Sequence, residues 1–377
     1  MNIAIVCYPT FGGSGVVATE LAKGLSEHGH RVHLVSYARP ARLDRFARNV
    51  VYHEVDLSTY PLFEFPPYDL ALATSLADLM EHASLDVLHV HYAIPHATSA
   101  YLARQILGEK ARRIPVITTL HGTDITLVGS DPSYKRVVEF SINRSHGVTA
   151  VSEYLKRETL ERFDIEQDIK VLPNFVDLER FSRRAGSELR RQMAEPDEWV
   201  LTHISNFREV KRIPVVVQVF NRVVKAGVKA RLLMVGDGPE RIKAEQLARD
   251  LGVYDKILFL GKQEIVEDLL SISDLFVIPS GSETFGLAAL EAMSCGVPVL
   301  STDIGGLPEV NLHGVTGYLS PLDDVDAMSE GAIRLLKDPD LLAQFSRNAR
   351  KRATEFEQSR VVSRYEAYYK QVMEQMP

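Results

Sequence analysis

Short apolar runs at 3–7, 32–36, 87–91 and 116–120 alternate in the first half of the chain with helical patterns such as 16–27. That alternation is the signature of a parallel sheet wrapped by helices. The same grammar restarts with runs at 200–204, 230–235, 257–260, 275–278 and 297–301. The expected fold class is therefore α/β, with two doubly wound domains. Between them, residues 171–181 and the polar stretch up to Trp199 read as a linker and the entry to the second domain. The boundary is expected near residue 170. The segment 359–376 is helical in pattern and has little of its own domain left to cover, so it is expected to cross back. The division is then 1–169 plus 358–377 against 170–357. In such sheets ligands bind at the carboxyl ends of the strands.

Size and composition narrow the function classes. A chain of 377 residues is long enough for two ordinary domains, each with its own core. Hydrophobic residues at 45% and charged ones at 25% describe a globular protein, and no apolar run approaches the length that crosses a bilayer. The sequence enters a strand from Met1 without a basic segment or a cleavage site, which leads to the expectation of a cytoplasmic protein. Cys7 and Cys295 are the two cysteines, too few for a disulfide framework or a cysteine metal site. A net charge of −7 argues against a general nucleic-acid binder. Homo-oligomerisation stays open.

The most informative chemistry lies in Ser282-Glu-Thr-Phe-Gly-Leu-Ala-Ala-Leu-Glu291, directly after the apolar run 275–279. The spacing predicts a strand, a turn at 281–286 and a helix over 287–295 closed by Gly296 and Pro298. Glu283 then stands just ahead of the helix and Glu291 inside its second turn. A helix N-terminus offers unpaired N–H groups to phosphate oxygens, and Gly286 lets a ligand approach the backbone. One carboxylate suits sugar hydroxyls and the other a ribose diol. Upstream, Ser205-Asn206-Phe-Arg208-Glu-Val-Lys211 places two cations just beyond a strand, where they suit a diphosphate and the charge on a departing nucleotide. Leu233 to Glu240 supplies a second glycine turn that shapes the site, and Lys262 offers backbone groups to a flat base.

In the first domain, Gly13-Ser14-Gly-Val-Val-Ala18 fits the looser dinucleotide fingerprint, and Arg39 suits a 2′-phosphate, so an NADP oxidoreductase competes at this point. His91, His96 and His121 raise a metal, but their spacing is not that of a zinc motif and no cysteine joins them. His89 reads as a satisfied core histidine. His121, followed by Gly122 and Asp124, can reach a sugar hydroxyl or a developing charge. Arg39, Arg42, Arg45 and Arg48 recur every third residue and read as a solvated helix face.

Taken together, His89-Val-His-Tyr-Ala-Ile-Pro-His96, Thr118-Thr-Leu-His-Gly-Thr-Asp-Ile-Thr126, Gly129-Ser-Asp-Pro-Ser133 and His203-Ile-Ser-Asn-Phe-Arg208 are similar to segments of the retaining glycosyltransferases of family 4, and most to its bacillithiol branch. Val235-Gly-Asp-Gly-Pro-Glu240 is common to many members of the family. The resemblance spans nearly the whole chain. It implies the GT-B architecture of two facing Rossmann-like domains with an interdomain cleft. It implies transfer of N-acetylglucosamine from UDP-N-acetylglucosamine to the hydroxyl of L-malate, the first step of bacillithiol biosynthesis, with no metal or organic cofactor required. By the same resemblance the donor is held by Gly13, Asn206, Arg208, Lys211, Lys262, Glu283, Phe285, Gly286, Leu287 and Glu291. Arg208, Lys211, His121 and Glu283 are the catalytic candidates. L-malate carries two carboxylates and needs cations and hydroxyl donors. Ser14, Tyr92, Thr119, Arg136 and Arg144 are the candidates for it. The competing readings are the same fold with a lipid or inositol phosphate acceptor, a non-catalytic sugar-nucleotide-binding protein, and the NADP oxidoreductase.

Overall fold

The structure, a computed structural model, describes residues 1–10, 12–43, 47–57, 65–184 and 188–376. The chain divides into two compact units, Met1–Asn174 with Gln358–Pro377, and Phe175–Glu357. The first unit runs β1 (Asn2–Val6), α1 (Ser14–Glu27), β2 (Arg31–Ser36), β3 (Val50–Glu54), α2 (Tyr68–His82), β4 (Val87–His91), α3 (Thr98–Leu107), β5 (Val116–Leu120), α4 (Pro132–Asn143), β6 (Gly147–Ala150), α5 (Glu153–Arg162) and β7 (Ile169–Val171). All strands are parallel, in the order β3-β2-β1-β4-β5-β6-β7. A boundary at residue 170 would cut β7, which pairs with β6; the first unit ends instead after Asn174.

The second unit runs α6 (Glu188–Met193), β8 (Trp199–Ile204), α7 (Ile213–Lys225), β9 (Ala230–Val235), α8 (Arg241–Asp250), β10 (Ile257–Gly261), α9 (Val266–Ser271), β11 (Leu275–Ile278), α10 (Leu287–Ser294), β12 (Val299–Thr302), α11 (Leu307–Val310), β13 (Gly317–Ser320), α12 (Val325–Lys337) and α13 (Pro339–Ala353). Its parallel sheet has the order β10-β9-β8-β11-β12-β13. The last helix, α14 (Gln358–Glu374), belongs to the first unit. In both sheets the order reverses at the first strand, between β1 and β4 and between β8 and β11. Loops that leave those neighbours turn to opposite faces, which leaves a crevice at the carboxyl edge.

Central strands such as β4 and β5 are buried along their whole length, as parallel strands covered on both faces must be. On one face of the first sheet Val6, Leu88, Val90 and Val116 pack against Leu72 and Leu76 of α2 and Ala100 and Ala103 of α3. In the second unit α7 is rich in valine, a residue that favours strands. It is a helix because Pro214 stands in its first turn and Ile213, Val216, Val217, Phe220 and Val223 form one buried stripe.

Helix α14 buries Val361, Val362, Tyr365, Tyr368, Tyr369 and Val372. Tyr368 accepts from the N–H of Val148 at 3.0 Å and donates to the Val148 carbonyl at 3.2 Å. Gly147 makes that approach possible: a Cβ there would lie 2.9 Å from both the Tyr368 hydroxyl and Val372 Cγ2. Gly147→Ala is therefore expected to cost about 1–3 kcal/mol by overpacking and to lower the thermal midpoint by several degrees. Differential scanning calorimetry checks it; an unchanged midpoint would show that α14 contributes little to the first unit.

Candidate active site

In the second unit β8 ends at Ile204 and leads through Ser205–Arg208 to a helical turn, Glu209–Lys211, before α7. Gly236 and Gly238 have φ of 126° and 155°, and a Cβ on them would stand 1.8 Å from the Ser205 carbonyl oxygen and 2.6 Å from that of Phe207. Only glycine fits this contact. The Phe207 N–H donates to the Asp237 carbonyl at 2.9 Å, and the Glu240 N–H donates to the Phe207 carbonyl at 2.9 Å. Phe207 is thereby buried, while Asn206 and Arg208 on either side of it are exposed. Below them His203 Nδ1 donates to the Val277 carbonyl at 2.8 Å, so its Nε2 accepts from the Ser205 hydroxyl at 2.7 Å. Burial pushes its pKa down to about 4. A neutral imidazole thus ties the end of β8 to β11.

Across the crevice, Gly286 at φ 98° caps α10, where a Cβ would meet Leu307 Cδ2 at 2.8 Å. The first N–H groups of α10 have no partner within the helix. Phe285 is 2% exposed and packs on Phe356 at 5.7 Å, so what it offers a ligand is backbone. Lys211 Nζ donates to Glu283 Oε2 at 2.6 Å, both side chains 19% exposed. Glu291 is buried in the second turn of α10. The structure thus joins Lys211 directly to Glu283 and places Gly286, Leu287 and Glu291 on the helix that follows. Lys262 is exposed beyond β10, the edge strand, and among the described residues no hydrogen bond or ion pair links it to that pair. Gly305 and Gly306, which the sequence reading passed over, hold this turn. A Cβ on them would lie 1.9 Å from the Glu283 carbonyl oxygen and 2.2 Å from that of Thr284, and the Gly306 N–H donates to the Glu283 carbonyl at 2.9 Å. Their signal was a Gly-Gly pair just past an apolar run.

In the first unit the turn after β1 carries Gly13, exposed at φ 62°, and Gly15, whose Cβ would lie 2.4 Å from the Tyr8 carbonyl oxygen. Ser14 opens α1, and its hydroxyl donates to the Tyr92 hydroxyl at 2.7 Å, bridging β1 and β4 at the switch point. His121 lies just past β5 and shares a hydrogen bond of 2.7 Å with His91, Nε2 to Nδ1. His96 Nδ1 donates to the His91 carbonyl, so its Nε2 accepts from the Tyr68 hydroxyl at 3.2 Å. Burial pushes His121 down to about 3 and His96 to about 4, and holds His91 well below its ordinary value. The cluster is neutral and serves as a set of hydrogen-bonding groups. The side chain of Asp124 is its anchor. Oδ2 accepts from the Ala93 N–H at 2.8 Å and Oδ1 from the Gly122 N–H at 3.0 Å, so one buried carboxylate fixes the residues next to Tyr92 and His121.

Several sequence expectations fall elsewhere. Thr119 is fully buried and shared between His89 Nε2 at 2.6 Å and Thr149 at 2.7 Å, a role inside the sheet. The other His89 nitrogen meets the Tyr369 hydroxyl at 2.8 Å. Arg136 is exposed in the second turn of α4, on the side of the strands' carboxyl ends. Arg144 caps the far end of that helix, three residues before β6 begins, at the opposite edge of the sheet and over the Phe140 ring. That geometry removes Arg144 from the crevice. Gly129-Ser-Asp-Pro-Ser133 has a structural reason: Asp131 caps α4, and a Cβ on Gly129 would lie 2.1 Å from the Asp124 carbonyl oxygen. Arg39, Arg42 and Arg48 share no helix face, since none of 37–43 is helical, Arg42 is left-handed at φ 65° and Arg48 lies in a turn; Arg45 lies outside the described residues. Among the described residues, no group of three or more His, Cys, Asp or Glu is arranged to hold a metal ion, and no helix is long and apolar enough to cross a membrane.

The chain matches the family Glycosyltransferase Family 4 over residues 11–180 and Glycosyl transferases group 1 over residues 187–352. It is 47% identical over 375 residues to the N-acetyl-alpha-D-glucosaminyl L-malate synthase of Bacillus anthracis, covering 99% of this chain and 97% of that protein. It is 28% identical over 310 residues to the D-inositol 3-phosphate glycosyltransferase of Saccharomonospora viridis, covering 76% and 70%. Among solved structures, it shares the fold of a sucrose-phosphate synthase from Thermosynechococcus elongatus, with TM-score 0.81, 20% identity and 99% of each chain covered. It also shares that of Anabaena HepE in complex with UDP and glucose, with TM-score 0.80, 21% identity and 98% of each chain covered.

Burial raises the Asp124 carboxyl from 3.8 to about 6 against the opposing pull of the Ala93 and Gly122 N–H groups. A raised pKa in the folded state means that the associated stability is present below pH 4 and lost as pH rises through 6. Relative to Asp124→Asn, which does not titrate, the wild type is expected to lose on the order of 3 kcal/mol across that window and nothing further above it. Urea unfolding of both chains from pH 4 to pH 7 reads the difference, and a constant difference would mean that the carboxylate is not held in an apolar surrounding.

Proposed function

The chain belongs to the glycosyltransferases of family 4, and we propose from that premise that it transfers N-acetylglucosamine from UDP-N-acetylglucosamine to the hydroxyl of L-malate with retention at the anomeric carbon. The 47% identity over nearly all of both chains carries this reading. The Lys211–Glu283 pair gives it a mechanism. Without a donor the two charges neutralise each other. A bound sugar nucleotide divides them, Lys211 turning with Arg208 to the diphosphate and Glu283 accepting from a sugar hydroxyl. Glu291, buried one turn into α10, accepts from a ribose diol on this reading. The open N–H groups of α10 face the remaining phosphate charge.

Chemistry then proceeds on one face of the sugar. The C1–oxygen bond to the diphosphate breaks, the malate hydroxyl oxygen bonds to C1 from the same side, and its proton passes to the departing phosphate, which leaves as UDP. Positioning and charge stabilisation supply the rate, with the two cations taking the place that a metal ion holds in other transferases. Neither a metal nor an organic cofactor enters this scheme. The donor groups of this reading lie in the second unit, apart from Gly13; the acceptor groups Ser14 and Tyr92, with His121, lie in the first. Arg136 is the acceptor cation that remains. On the same reading we place the protein in the cytoplasm. The oxidoreductase alternative loses its footing: Arg39 donates to the Leu43 carbonyl at 3.3 Å, and the Gly13 turn belongs to a family 4 segment.

Mass spectrometry after incubation with UDP-N-acetylglucosamine and L-malate is expected to give a malate-dependent glycoside with one UDP per product. UDP without the glycoside, or a product with inositol 3-phosphate alone, would overturn the acceptor. Lys211→Ala is expected to lower kcat by about 100–1,000-fold with an unchanged circular dichroism spectrum. A kcat within twofold of wild type would remove Lys211 from the leaving-group site.

A further inference from the structure

Tyr8 stands two residues past β1 and has no part in the reading so far. Its ring is held on several sides: His96 at 4.5 Å between centroids, Tyr92 at 5.6 Å, Tyr37 at 6.2 Å and Tyr68 at 6.3 Å. Its backbone is held too, because Gly15 brings α1 against its carbonyl. Two of the hydroxyls around it are engaged, Tyr92 with Ser14 and Tyr68 with His96. The Tyr8 hydroxyl has no hydrogen-bond partner among the described residues, and it is not sealed from solvent either, since the residue is half-buried and the oxygen is not among the buried unpaired ones. A fixed ring beside the Tyr92 ring, carrying an O–H with no partner among the described residues, is a preorganised donor, because little side-chain freedom is left to lose on binding. Burial, with Tyr92, Tyr37 and Asp124 nearby, pushes its pKa up to about 12, so the hydroxyl keeps its proton at every working pH.

An acceptor with two carboxylates needs donors at both ends, and a hydrogen bond to a charged oxygen is worth more than one between neutral groups. Ser14 and Tyr92, bonded to each other, form one station. We propose that Tyr8 is a second, donating its hydroxyl proton to one carboxylate of the acceptor and so helping to select a dicarboxylate. This rests on the malate reading above.

Tyr8→Phe deletes one oxygen and keeps the ring packing, so the experiment is steady-state kinetics of both chains with L-malate and with each of its two monomethyl esters, at saturating UDP-N-acetylglucosamine. The expected result is a fall of about tenfold or more in kcat/KM for malate, carried by KM, with the donor KM and the thermal midpoint unmoved. The fall is expected to vanish for the ester blocked at the end Tyr8 holds and to persist for the other, as a coupled pair requires. If wild type makes no malate glycoside, the reading of the acceptor fails first. If wild type makes it, the assignment of Tyr8 is overturned by a malate kcat/KM within twofold, by an equal fall with both esters, or by a lowered midpoint that Tyr8→Leu reproduces.

Discussion

Parallel pairing of β1 with both β2 and β4, and of β8 with both β9 and β11, decides where this protein can have a site at all. Everywhere else in the sheets, successive connections cross on the same side and cover the strand ends. At these two places they part, and side chains from neighbouring turns are left facing one another. Hydrogen bonds span each opening, Ser14 to Tyr92 in the first unit and, in the second, Lys211 to Glu283 and the Gly281 N–H to the Val210 carbonyl. The bridges differ in chemistry: neutral hydroxyls in the first unit, an ion pair in the second.

Both openings are stiffened by the same means. A buried polar side chain serves in each unit: Asp124 accepts from the Ala93 and Gly122 N–H groups and ties two turns, and His203 in β8 donates to the Val277 carbonyl of β11. Glycines bring another segment to within backbone contact, Gly15 against Tyr8 in the first unit and, in the second, Gly236 and Gly238 under Ser205–Phe207 and Gly305 and Gly306 under Glu283–Thr284. An open crevice cannot be held by apolar packing on its open side, so the support comes from beneath, as hydrogen bonds and close backbone approach.

Much of this was legible in the sequence. The apolar run 275–278 is β11 to the residue, and the turn-then-helix spacing put Glu283 and Glu291 where they stand. The short strands β6 and β7 were not visible, because Gly147-Val-Thr-Ala has a single strongly apolar residue and β7 is three residues long; their burial comes from neighbours across the sheet. The acceptor side was harder for a related reason. Residue type alone does not separate a threonine that faces a ligand from one such as Thr119 that satisfies His89, nor an arginine near a helix start from one at its end, and Arg136 and Arg144 are eight positions apart on one helix. Gly305 and Gly306 were passed over because their work is to let another segment's carbonyls in, a contact whose partner a Gly-Gly pair does not name.

Helix α14 belongs to the unit that the chain left at Asn174, and 183 residues of the other unit, Phe175–Glu357, intervene. During synthesis the second unit is therefore complete in sequence before the first. Strands β1 to β7 emerge early, yet Gly147, Val148 and His89 wait for Tyr368 and Tyr369, which follow only after the whole second unit. Until then a face of the first sheet that α14 covers stays open to other apolar chains. Maturation of the first unit is thus tied to synthesis of α14 beyond the second, and a chain terminated before α14 lacks a finished first unit even when its second unit is whole.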